Sequence, residues 1–217
     1  LTDAGDVVID ADLVTGGELE YKTTFATENL DLGRIFDDEE LRSRLRSKGS
    51  LTGSGTSSHS TTAVARVEID SSEFYGRPLG QSGVVLDLSN GVIRSHVQLR
   101  ARSTRYDLSG IWNNWSEDSV SYSVSGSIQS LNLADIIRSE EFKSELSMNI
   151  KLAGSGKEPA RMNHAATINF LQSSFGSVPF DSGKIGAVLD LRDSLRSIFS
   201  FKSNPIDIVI GDINCEH

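Results

Sequence analysis

Cysteine is almost absent. The one thiol, Cys215, stands third from the end of a 217-residue chain. No internal disulfide can form, so a disulfide-stapled fold is excluded and the redox compartment stays open. Basic charge is also short. The net charge is −9, whereas a nucleic-acid footprint needs a basic patch or stripe. No apolar run approaches the length of a membrane span, and no secretory leader opens the chain. Hydrophobic residues make up only 37%. No nucleophile–base pair, metal-ligand spacing or cofactor loop stands out, so no catalytic, cofactor or metal residue is expected.

What is abundant is Ser, Thr and Gly, and a stretch that occurs twice. Leu30 to Gly55 recurs as Leu131 to Gly156, an offset of 101 residues without a gap. Leu30, Leu32, Ile35, Glu39, Glu40, Ser43, Leu45, Leu51, Gly53, Ser54 and Gly55 return unchanged. A period this long is a structural unit, and it precedes any fold argument. The chain opens in mid-pattern, as a piece of a longer protein would.

Around that window the pattern is one of strands. Val7, Ile9, Ala11 and Leu13 alternate with polar neighbours, which predicts a half-buried strand. Leu19 to Phe25 alternates likewise, and its Tyr21 returns as Tyr122. There Val120, Tyr122, Val124 and Ile128 share a face, and serines take the other. Inside the window Leu30 and Leu32 lead into a short helix. Asp38 and Ser139 are the expected N-caps, each followed by two glutamates. Leu41 with Leu45, and Phe142 with Leu146, are spaced as one apolar stripe. A strand then starts at Leu51 and at Leu152. Ala65, Val67 and Ile69 match Ala166, Ile168 and Phe170 on one face. Beyond Pro78 and Pro179 a two-residue insertion is expected, aligning Val84–Leu88 with Ala187–Leu191. Asn90-Gly91 predicts a two-residue hairpin turn, with Leu88 opposite Ile93, Leu86 opposite Ser95 and Val84 opposite Val97. In the second copy a loop at 192–194 sets Leu191 opposite Leu195. Phe199 and Phe201 continue that face, and Ile206, Ile208 and Ile210 close the chain.

The expected fold is mainly β: a tandem repeat of antiparallel strands with one short helix per repeat. The first repeat is placed at 1–110 and the second at 111–217, together one continuous domain. Two helices of about ten residues cannot cover so many strands. The apolar faces therefore either close on each other as a β-sandwich or form an elongated curved sheet with a groove.

The order of features is itself informative. Leu30, Leu32 and Ile35 precede the acidic helix, and Leu51, Gly53 and Gly55 follow it. Ser71, Ser72, Phe74 and Pro78 then lead to an alternating hairpin. The second copy has Leu131, Leu133, Ile136, Leu152, Gly154, Gly156, Ser173, Phe175 and Pro179. This run resembles repeats of the AsmA/TamB-like family of bacterial envelope proteins. The resemblance implies a β-taco-like groove in a periplasmic protein tethered to the inner membrane. It implies phospholipid, or another acyl-chain ligand, as partner, with outer-membrane assembly proteins met through the full-length chain. The function it implies is non-enzymatic: shielding acyl chains during lipid transport or outer-membrane assembly. The candidate lipid-facing set is then Tyr21, Phe25, Val67, Ile69, Val84, Leu86, Leu88, Ile93, Val97, Leu99, Val120, Tyr122, Val124, Ile168, Phe170, Leu189, Leu191, Phe199 and Phe201. The alternative is a structural or adhesive β-repeat of a cell-surface protein with a sealed core.

Other residues support plainer readings. His59 sits in a Ser/Gly loop with no acid or second His placed to complete a site. His96 falls on a polar face. His164, where the first copy has Ala63, points inward as an isolated, satisfied imidazole. Gly53-Ser54-Gly55 lacks the third glycine of a dinucleotide loop. The acidic run at 37–40 reads as a helix first turn rather than a cation site. Trp112 and Trp115 could contact a glycan or a membrane surface, though such a pair more often pins a loop to a core. Asn114-Trp115-Ser116 is formally a glycosylation sequon.

Overall fold

The computed structural model describes residues 4–57, 60–116, 119–156 and 163–190, and short strands at 196–197, 200–203, 207–209 and 213–214. The fold is mainly β, with antiparallel strands throughout and one short helix in each repeat. Backbone contacts divide the chain into two units, Leu1–Ser103 and Thr104–His217. The boundary expected at 110 falls inside β9 (Thr104–Asn113), the first strand of the second unit.

In the first unit β1 (Asp6–Val14), β2 (Glu20–Leu30) and β3 (Ser43–Ser54) pair in succession. Next comes a long hairpin made of two interrupted strands. One is β4 (Thr62–Ile69) with β5 (Ser72–Phe74); the other is β6 (Arg77–Leu79) with β7 (Ser82–Ser89). Ile69 faces Ser82 and Ser72 faces Leu79, a single register that turns at Tyr75-Gly76, where φ is 51° and 70°. Asn90-Gly91 turns β7 into β8 (Val92–Ala101) with φ of 50° and 72°. Leu88 meets Ile93 and Val84 meets Val97, the register the Asn-Gly turn predicts.

The second unit follows the same path. β9, β10 (Ser121–Leu131) and β11 (Ser144–Ser155) pair in order. The hairpin is β12 (Asn163–Phe170) with β13 (Ser173–Phe175), returning as β14 (Val178–Phe180) with β15 (Gly183–Asp190). β16 (Arg196–Ser197) pairs with β19 (Ile213–Asn214). β17 (Ser200–Ser203) joins β15 and then β18 (Asp207–Val209).

Ladder register corrects the expected insertion. Ala63 faces Leu88 in the first unit, and His164 faces Leu189 in the second. Both strands of the hairpin therefore keep the offset of 101, and Val84 corresponds to Ile185. The likeness of Val-Leu-Asp-Leu in the two copies suggests a shift that the ladder does not follow. A hairpin cannot absorb two residues on one strand without losing its register, so any added length falls beyond Asp190. Ile185 faces Phe201, the register predicted by a loop at 192–194. That loop, Leu191, Leu195, Phe199, Ile206 and Ile210 lie outside the described residues.

The helix also lies earlier than expected. α1 is Leu32–Phe36 and α2 is Leu133–Ile137, five residues each. Their N-caps are Asp31 and Asn132, not Asp38 and Ser139. The paired glutamates occupy separate 3₁₀ turns, Glu39–Leu41 and Glu140–Phe142. Ser139 precedes the second of these but makes no side-chain cap bond. Strands begin at Ser43 and Ser144, well before Leu51 and Leu152, so Leu45 and Leu146 are strand residues. Their spacing from Leu41 and Phe142 imitated a helical stripe. The inward positions of β3, which include Ser47, Gly49 and Gly53, hid the period of two.

A polar latch holds this joint in both units. Asp31 Oδ1 accepts from the Gly33 and Ser43 N–H groups at 3.0 and 3.1 Å. Ser43 Oγ accepts from the Leu32 N–H at 2.8 Å and donates to the Leu30 carbonyl. Asn132 Oδ1 and Ser144 Oγ repeat the pattern on Ala134, Ser144 and Leu133. Removing a cap acceptor of this kind costs about 1–2 kcal/mol. Asn132→Ala is therefore expected to lower the second unit's unfolding free energy by that amount, read from urea melts. Asp31 adds a pH dependence that Asn132 lacks. The Ser43 N–H holds its carboxyl below the ordinary value of 3.8; partial burial opposes this, and the Arg34 and Gly33 N–H groups and the Arg34 charge assist. A depressed carboxyl contributes stability above its unfolded value and loses it as pH falls through the folded one. Acidification below about pH 4 should loosen α1 before α2. Asp31→Asn should remove that difference, as seen by amide hydrogen exchange.

Candidate functional site

Alternation within each strand and ladder register across strands place side chains on two distinct faces. In the first unit Ile9, Phe25, Gly49, Val67, Val84 and Val97 form one row across the strands. Leu13, Tyr21, Gly53, Ala63, Leu88 and Ile93 form another. In the second unit Leu108, Gly126, Ile150, Ile168 and Ile185 form a row, as do Trp112, Tyr122, Gly154 and His164. No Lys, Arg, Asp or Glu occurs in any of these rows. The cross-strand ion pairs lie on the opposite face, where Lys48 and Glu68 pair at 2.9 Å and Arg46 and Glu28 at 3.4 Å.

The charge-free face is only half-buried. Tyr21, Phe25, Val67, Ile69, Val84, Leu88, Ile93, Val97, Leu99, Tyr122, Val124, Ile168 and Phe170 are intermediate in exposure, and Leu86 is 39% exposed. Val120 is buried just before β10. Leu189 and Phe201 are placed by backbone register alone. No large side chain among the described residues is fully buried. Within each unit the described strands of these rows pair edge to edge in an antiparallel succession.

Two parts of the face differ from expectation. β1 is a strand, but it is not half-buried: Val7, Ile9 and Leu13 are 50%, 64% and 68% exposed. It has a ladder neighbour on one side only within its unit, and nothing covers it there. Trp112 is not a loop residue. It lies on β9 opposite Tyr122, half-buried on the apolar face, while Trp115 is in the following turn and 37% exposed. Tyr106, Leu108, Gly110 and Trp112 alternate on this strand, but the glycine interrupts the apolar count from which the strand could have been read.

The open face has one closed end. Leu131, Leu146 and Met148 are buried there, packed by Tyr106, Ile128, Leu133, Ile150, Ile168, Phe170 and Phe180. Phe170 and Phe180 meet edge to face at 5.9 Å. The same level of the first unit is polar, with Thr27 and Ser47 joined by a hydroxyl–hydroxyl hydrogen bond of 2.8 Å.

His164 points onto the apolar face as expected, and its Nδ1 is hydrogen-bonded to the Tyr122 hydroxyl. The two rings tilt at 47° with centroids 5.7 Å apart. Burial raises the Tyr122 phenol above its ordinary value. His96 is exposed on the polar face; His59 lies outside the described residues. Among the described residues no group of His, Cys, Asp and Glu could hold a metal ion. No described helix is long and apolar enough to cross a membrane. A polar cleft on the first unit is lined by Arg34, Arg42, Arg44 and Glu73.

No family model, curated protein or solved structure matches this chain.

Proposed function

We propose that the chain is a non-enzymatic carrier segment whose uncharged sheet face shields the acyl chains of phospholipid. The observation that supports this is the half-exposed apolar face in each unit, whose central rows carry no charged residue. Acyl tails need apolar surface and no directional partner, and burying their methylenes against such a face is favourable at about 0.8 kcal/mol each. A contiguous exposed apolar surface of this kind marks an interaction site. Together with the repeat's resemblance to the AsmA/TamB-like family, it favours a periplasmic conduit between the membranes of a bacterial envelope, tethered to the inner membrane in the full-length protein. Outer-membrane assembly proteins are the further partners this reading implies.

Solvent extraction and mass spectrometry of the purified chain should recover co-purified phospholipid. A dye that reports exposed apolar surface should brighten on the delipidated protein and dim when lipid is restored. A preparation free of lipid, on which the dye stays dark, would instead favour the structural or adhesive module with a sealed core.

A further inference from the structure

We propose that in Thr104–His217 a single-tailed anionic lipid lies along the strands, its head at the rim made by Trp112, Tyr122 and His164 and its tail towards Met148. This rests on the carrier reading and gives it a direction. The Trp112, Tyr122, Gly154, His164 row lies near the ends of its strands, and the Ile128, Met148, Phe170 row lies near the other ends. The path between them is six residues along β11, about 20 Å. That slightly exceeds the tail length of one bilayer leaflet, about half of ~30 Å.

The two ends have opposite chemistry. At one, buried Leu131, Leu146 and Met148 close an apolar floor. At the other stand three residues that each combine an apolar body with a polar tip, the type that collects where hydrocarbon meets water. The Tyr122 hydroxyl is held on His164 Nδ1, which leaves the imidazole Nε2 without a described partner. A protonated or neutral-tautomer Nε2–H donates to an anionic oxygen. Among the described residues, the rows of this face carry no carboxylate that competes for it.

The first unit is an internal comparison. It keeps the tyrosine as Tyr21 over Gly53, but has Ala63 where the second has His164. Its far end carries the Thr27–Ser47 hydroxyl pair in place of Ile128 and Met148. It lacks both the anion donor and the apolar floor. The carboxylate of a fatty acid and the phosphate of a lysophospholipid share the chemistry this rim recognises. Free phosphate lacks the tail.

The experiment uses the full chain carrying Trp115→Phe, so that Trp112 is the sole indole. Dodecanoate brominated beside the carboxylate should quench Trp112 more than dodecanoate brominated at the far end of the tail. His164→Ala should weaken binding of dodecanoate and of an anionic lysophospholipid by about tenfold, the effect of one hydrogen bond to a charged group. It should leave dodecanol unchanged, and inorganic phosphate alone should not bind. Stronger quenching by the far-end bromine overturns the proposal, as does equal loss of dodecanoate and dodecanol in His164→Ala. In either case the carrier reading still stands. If wild-type protein binds neither dodecanoate nor dodecanol, the carrier reading itself fails.

Discussion

Val67→Glu is expected to abolish acyl-chain retention by the first unit while leaving that unit folded. Val67 lies at the centre of the open face, between Gly49 and Val84, and is only half-buried. A carboxylate there can reach water, so the loss should be about 1 kcal/mol. It would nonetheless place a charge in the path of a lipid tail. The same change at Met148, 5% exposed in the packed end of the second unit, buries a charge with no partner. It should remove about 3–5 kcal/mol, a large fraction of a typical domain's stability. Urea melts of both variants, with bound lipid measured by mass spectrometry, test the pair. Equal destabilisation by the two would mean that the face at Val67 is sealed, and the carrier reading would then fall.

The second large effect concerns how aromatic rings are accommodated on a single-layered sheet. Phe25 lies over Gly49, opposite it on β3. A Cβ at Gly49 would overlap the ring and come within 2.7 Å of the Arg66 carbonyl oxygen. Tyr21 stands in the same relation to Gly53, where a Cβ would come within 2.6 Å of the phenol oxygen. Lacking a side chain, these glycines give the ring a flat backbone surface to cover, a recognised compensation for glycine within a sheet. Gly49→Ala should cost about 2 kcal/mol through overpacking. In a Phe25→Ala background it should cost less by about 1 kcal/mol or more, the coupling expected of residues in contact. Equal costs in the two backgrounds would show that the ring does not rest on the glycine. The second unit reverses the pair, with Gly126 opposite Ile150. There a Cβ meets backbone, Leu108 Cα at 2.8 Å. Gly126→Ala should therefore stay costly whatever residue occupies position 150.

The joint between helix and strand shows where reading the sequence succeeded and where it failed. The repeated leucines, serines and glycines of 30–55 and 131–156 marked a structural unit, and the latch of Asp31 with Ser43 explains why Ser43 recurs as Ser144. The cap itself was missed because Asp31 becomes Asn132 in the second copy. A carboxylate and an amide share an acceptor oxygen, so a search for identical residues passes over them. The paired glutamates drew attention to the wrong turn, since acidic residues suit a 3₁₀ turn as well as the start of an α-helix. Gly110 hides β9 from its apolar pattern, so the sequence alone suggests a loop at Trp112.

Sequence by itself determined the period of 101, the strand alternation, the Asn90-Gly91 hairpin with its register, and the absence of charge on one face. These are local matters, set by backbone turn geometry and by the period of two in an extended chain. What covers the apolar face was beyond its reach, because alternation is identical for a sealed core and an open trough. Only the tertiary structure showed that the described residues of this face are mostly half-buried, that Leu131, Leu146 and Met148 are buried at one end of it in the second unit, and that Tyr122 and His164 meet near the other. Those facts depend on register between strands distant in the chain, where a single residue of slip would turn every side chain to the other face.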